Sequence, residues 1–117
     1  MVEMIFLNIL KIVAVIVTLL TGLYSMVWPK KIKGFTGLEA SSPRAITEIR
    51  AVMGGTFIGL GIAALVFPTV EVYMMLGIAY AAIAGIRAIS MVVDKSIVRS
   101  NVISLATEVV LVIILVL

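Results

Sequence analysis

Four long apolar runs, separated by short polar stretches, organise the chain. A helix needs about 20 residues, at 1.5 Å of rise each, to cross the hydrocarbon core of a bilayer, and each run has about that length. The first covers about 5–28, is free of charge from Ile12 onward, and closes on Tyr24, Trp28 and Pro29. The second, 43–67, opens after Ser41, Ser42 and Pro43, where serine ahead of proline suits an N-cap followed by the first helical position. It stops at Phe67 and Pro68. The third, 69–93, follows so closely that it predicts a tight antiparallel hairpin with the second. Asp94 and Lys95 interrupt the pattern before the fourth, 97–117. The expected fold class is all-α, an integral membrane bundle of four transmembrane helices in a single domain, 1–117. A removable signal peptide is the competing reading of the first run. Glu3 in place of a basic n-region, the length of the run and the lack of a small-residue cleavage site argue against it.

Composition decides what the runs face. Of 117 residues, 63% are hydrophobic and 13% charged, against about 45–50% and about 25% in soluble domains. A chain this small has too little interior to hide so much apolar side chain, so the remainder faces lipid, and disorder is excluded on the same grounds. Cys and His are absent. That removes disulfides, thiolate metal sites, the commonest transition-metal ligand and the usual general base near neutral pH. No catalytic residue, metal ligand set or cofactor is assigned, and an intramembrane enzyme is the least supported class. Na⁺ is the one ion left open.

Charge then orients the chain. Lys30, Lys31, Lys33 and Arg44 fall in the first connection, Lys95 and Arg99 in the third, and the second has no base. The positive-inside rule makes the two basic loops cytoplasmic and both termini external. The net charge of +3 reads as a topology and anionic-lipid signal, so the bilayer is the expected partner and nucleic acid is not. Lys11 and Glu71 are read as outer-boundary residues.

Rows of small residues let helix backbones approach where no hydrophobic effect drives helices together. The second span carries Ala51, Gly55, Gly59 and Ala63 at i+4 spacing; the third carries Gly77, Ala81 and Gly85. These rows are expected to form the seam of the two–three hairpin. Gly54 and Gly61 give the second span another small patch, suited to a homodimer or a partner membrane protein.

Ionisable residues within spans are costly and usually have a reason to be there. Glu108 lies about 16 Å along the fourth span, near the midplane. The twelve Val, Ile and Leu residues from Val102 to Leu117 contribute roughly −4 to −7 kcal/mol to insertion, which outweighs about 3 for one acid. Asn101 and Ser104 share its face. Thr18, Thr21 and Ser25 form a similar stripe on the first span, so a polar seam between spans one and four is expected, with the hydroxyls bonding their own preceding turns as the alternative. Tyr73, Tyr80 and Arg87 lie on one heptad line of the third span. Glu48 and Arg50 point nearly opposite ways from the second, at about 100° per residue.

Thr47-Glu48-Ile49-Arg50-Ala51-Val52-Met53-Gly54-Gly55, then Gly59-Leu60-Gly61, Arg87, Asp94, Asn101, Ser104-Leu105 and Glu108 resemble the domain of unknown function 4345 family over nearly the whole chain. The resemblance implies a small four-span prokaryotic membrane protein, with Glu48, Arg50, Arg87 and Glu108 at the family's polar positions, and it implies no activity. The chain is also similar to small multidrug-resistance exporters in length, span number and a single embedded glutamate. It departs from them because their glutamate is in the first span, where this chain has Thr18 and Thr21. Two functions follow as expectations. One is binding of a small molecule, lipid headgroup or proton in a cytoplasm-facing polar cleft, with Glu108 as deep acid, Arg50 and Arg87 as anion-attracting groups, and Tyr80, Asn101 and Ser104 as orienting groups. The other is an accessory subunit docking through its small-residue faces.

Overall fold

A computed structural model describes residues 1–117. It is helical throughout, with no strand: α1 (Val2–Val27), a 3₁₀ turn (Pro29–Lys31), α2 (Lys33–Thr36), α3 (Pro43–Glu48), a π-helical segment (Ile49–Gly54), α4 (Gly55–Val66), α5 (Val70–Val93) and α6 (Arg99–Val116). Four stretches are long and apolar enough to cross a membrane: Val2–Val27, Pro43–Val66, Val70–Val93 and Arg99–Val116. Each lies within a few residues of its expected place. Ile86, Ile89, Val92 and Val93 are about two-thirds exposed or more, as lipid-facing side chains must be.

Local chemistry sets the boundaries. Ser42 Oγ accepts from the Ala45 N–H at 3.1 Å, and Pro43 fills the position where a missing N–H costs nothing. Thr69 Oγ1 caps α5 by accepting from the Val72 N–H. Gly37 ends α2 at φ +76°, a left-handed conformation that favours glycine.

The chain divides into two compact units. One comprises Val15–Phe67. Within it, the C-terminal part of α1 runs antiparallel to the second span, and small residues form the contact. A Cβ at Gly22 would lie 2.7 Å from Ile58 N and 2.8 Å from the Gly54 carbonyl oxygen; one at Gly54 would lie 3.0 Å from Met26 Cβ; one at Gly61 would lie 2.5 Å from Leu19 Cγ. Thr18 and Ser25 are fully buried. The hydroxyls of Thr21 and Ser25 donate to carbonyls one turn back, at 2.8 and 2.9 Å, so those two are satisfied within their own helix.

One pair of small residues finds its partner within this unit. Gly54 and Gly61, read as a homodimer patch, seat α1 instead. Within their own units, Gly55, Gly59 and Gly85 have nothing within 4 Å of a Cβ position, and Ala51 and Ala81 are exposed; Ala63 is half-buried. A spacing of four marks a surface smooth enough for close packing without saying which helix uses it. The row that contains a neighbour's glycine contact is the other one.

The π-helical segment interrupts the second span where the sequence predicts uninterrupted α-helix. Its bonds close over five residues rather than four, so each residue turns less. In an α-helix, residues five apart lie about 140° from alignment. Here Ile49 and Gly54 are both buried.

The other unit comprises Met1–Ala14 and Pro68–Leu117. There α5 packs along α6 through Leu76, Tyr80, Ala84 and Met91 on one side and Glu108, Leu111 and Leu115 on the other, all buried. Gly77 is the small residue of its row that makes a contact, with Leu115 Cβ 3.3 Å and Val116 Cγ1 2.9 Å from its Cβ position. Lys11 belongs to this unit and is buried, with Nζ 5.3 Å from the centre of the ring of Tyr73, in the first turn of α5. Glu71 is exposed in the first turn of α5.

Candidate functional site

The α5–α6 pair brings three of the expected polar residues together. Arg87 Nε donates to Glu108 Oε1 and Nη2 donates to Oε2, each at 2.8 Å. Its Nη1 donates to Asn101 Oδ1 at 2.9 Å. Asn101 and Glu108 are seven residues apart, nearly two full turns, so α6 presents both to the same neighbour. One planar guanidinium then bridges them, with a fork that matches the carboxylate.

Asn101 is oriented in turn by the loop before α6. Its Nδ2 donates to the Ser96 carbonyl at 3.0 Å and to Ser96 Oγ at 3.4 Å. The amide therefore turns its oxygen toward Arg87. A chain of bonds runs from the α5–α6 loop through Asn101 and Arg87 to Glu108 in the middle of α6.

The pair explains how Glu108 is accommodated. Either ion alone would be expensive in hydrocarbon; together they carry no net charge and satisfy both carboxylate oxygens. Glu108 keeps 11% of its side chain exposed and Arg87 29%. The remaining Arg87 exposure opens into a groove of about 370 Å³ lined by Ile83, Ile86, Arg87, Ser90 and Asn101. A guanidinium has five N–H groups, of which three are engaged here, so Arg87 retains one on Nη1 and one on Nη2. Nearby, Ser90 Oγ donates to Asp94 Oδ2 at 2.5 Å.

Ser104 is half-buried on α6 and bonds none of these groups; Tyr80 is buried two turns before Arg87. Glu48 and Arg50 belong to the other unit and are exposed, and Glu48 forms an ion pair with Arg44 one turn before it. No three acidic side chains gather where a metal ion could be held. Sequence reasoning missed Ser96, Ser90 and the Ile83 and Ile86 walls. Ser90 was accessible as i+3 from Arg87, whereas Ser96 acts through a loop whose shape depends on Lys95 at φ +53°.

Residues 6–117 match the sequence profile of the family described as Domain of unknown function (DUF4345). No curated protein and no solved structure gives a significant match.

Proposed function

The chain belongs to the Domain of unknown function (DUF4345) family, whose description names no activity, and from the geometry of the α5–α6 unit we propose that this small multi-pass membrane protein binds a polar or anionic group of a small molecule in the groove beside Arg87. The observation that carries the reading is the division of labour within one guanidinium. Three N–H groups fix Arg87 to Glu108 and Asn101, two take no part in those bonds, and Arg87 lines the groove. Glu108 thus acts as the counter-ion that holds Arg87 in place, and Ile83 and Ile86 supply apolar walls.

The test is a thermal-shift screen of the purified protein in detergent against small carboxylates, phosphates and alcohols. Compounds that stabilise the wild type and lose that effect in Arg87→Gln support the reading. A screen in which no compound separates wild type from Arg87→Gln removes it. Proton- or solute-coupled movement is a further step of the same reading: indistinguishable flux through liposomes containing wild type and Glu108→Gln would exclude it.

A second reading, as a non-catalytic accessory subunit or a homodimer, is favoured by the open small-residue positions Gly55 and Gly59 on α4 and Gly85 on α5. Gly59→Leu should then dissociate a co-purifying membrane protein or a second copy while leaving the fold intact. In the proposed topology the basic loops are cytoplasmic and both termini external. The chain has no cysteine, so single cysteines introduced at Lys95 and Val2 report sidedness directly with an impermeant maleimide.

A further inference from the structure

We infer that the end of the Val15–Phe67 unit at the 3₁₀ turn is a binding site for anionic phospholipid headgroups, formed by Lys30, Lys31 and Arg50 beside Trp28. The argument starts from charge. Residues 29–50 hold five bases and two acids. Both acids are occupied: Glu39 pairs with Lys33 at 3.3 Å, and Glu48 pairs with Arg44. Lys30, Lys31 and Arg50 are the bases left without a carboxylate, and all three are exposed.

The antiparallel register puts them at the same end of the unit. Leu19 meets Gly61, Gly22 meets Ile58 and Met26 meets Gly54, each step along α1 matched by an equal step back along the second span. α1 ends at Val27, one residue past Met26, whereas the second span continues from Gly54 back through Arg50 to Pro43. Arg50 therefore stands at the height where α1 has already ended, and α3 reaches beyond that level.

The surroundings are those of a headgroup layer. Trp28, Phe35 and Leu38 are each nearly half exposed, while Ile32 is fully buried and pins the segment. Tyr24 stacks at a tilt against both Trp28 and Phe35, with ring centroids 5.5 and 5.8 Å away. Lys31 Nζ lies 5.9 Å from the centre of the Trp28 ring. Aromatic rings at this depth anchor a protein among headgroups, and unpaired bases beside them bind phosphate oxygens by charge-assisted hydrogen bonds.

Trp28 is the sole tryptophan and reports on the site. Reconstituted protein is titrated with brominated phosphatidylglycerol or brominated phosphatidylcholine in a neutral lipid background, and quenching of Trp28 gives the relative association of each lipid. Wild type should prefer the anionic lipid. Each of Lys30→Gln, Lys31→Gln and Arg50→Gln should lower that preference by up to about fivefold, and the triple variant should abolish it. Lys33→Gln with Glu39→Gln, which removes a paired base together with its acid and keeps the net charge, should leave it nearly unchanged. Equal quenching by both lipids in wild type, or an unaltered preference in the triple variant, overturns the proposal. If the triple variant does not fold, Lys30→Gln with Lys31→Gln in the exposed turn decides in the same way. Displacement of the brominated anionic lipid by millimolar inorganic phosphate would identify a free-anion site and also overturn it.

Discussion

Gly22 on α1 and Gly54 on the second span approach so closely that a Cβ on Gly22 would sit 2.8 Å from the Gly54 carbonyl oxygen and 2.7 Å from Ile58 N. Both obstacles are backbone, which cannot swing aside as a side chain can. The contact depends on having two hydrogens where side chains would otherwise stand.

Gly22→Ala should therefore destabilise the protein by about 1–3 kcal/mol, the usual cost of overpacking. Gly59→Ala, with nothing within 4 Å of the added methyl, should be neutral or stabilising by up to about 1 kcal/mol through helix propensity. Thermal or denaturant-induced unfolding in detergent micelles measures both. Equal midpoints for the two variants would contradict the contact.

Removing one partner of the Arg87–Glu108 pair leaves the other ion without its counter-charge. Arg87→Leu or Glu108→Leu alone should cost about 3 kcal/mol, at the lower end of the range for breaking buried pairs because Arg87 is 29% exposed. The double variant should be less destabilised than the two losses added together, since it strands no charge. A double-mutant cycle on unfolding free energies checks this, with additive losses as the contrary outcome.

Tyr73→Leu should cost about 0.5–2 kcal/mol through loss of the ring beneath Lys11 Nζ. Tyr73→Phe keeps the ring and should be nearly silent. In a Lys11→Met background the penalty for Tyr73→Leu should shrink, which separates the cation–π contact from simple packing.

Gly37→Ala should cost about 1 kcal/mol, because residue 37 has a left-handed backbone that penalises a Cβ although the space beside it is empty. Gly34→Ala, equally open but with an ordinary backbone, should not share that penalty. The difference in unfolding midpoint between the two isolates backbone conformation from crowding.

Spans were legible because helix length and bilayer thickness fix a number that the apolar runs either meet or miss. The stripe of Asn101, Ser104 and Glu108 was legible because helical periodicity places residues on a face without reference to neighbours. What faces that stripe is a tertiary question. Helical spacing puts Arg87 on a polar line of the third span, and nothing in the sequence shows it committing three of its N–H groups to α6. The glycines that seat α1 are hidden for the same reason: Gly55 and Gly59 satisfy the packing spacing as well as Gly54 and Gly61 do, and choosing between them for that contact requires the position of α1. The π-helical segment has no residue signature at all, since it is a change in hydrogen-bond register within an ordinary helical sequence.

That segment makes the second span two helices aimed separately. It holds one residue of rotational phase between the half that carries Arg44, Glu48 and Arg50 and the half that carries Gly61. Deleting a single residue from 50–53 would restore α-helical register and swing the outer half by about 100°, while the contact of Gly61 with Leu19 could stay as it is. The bearing of the basic end on the membrane surface is therefore set by a residue count, and it is adjustable by insertion or deletion without rebuilding the glycine contact beneath it.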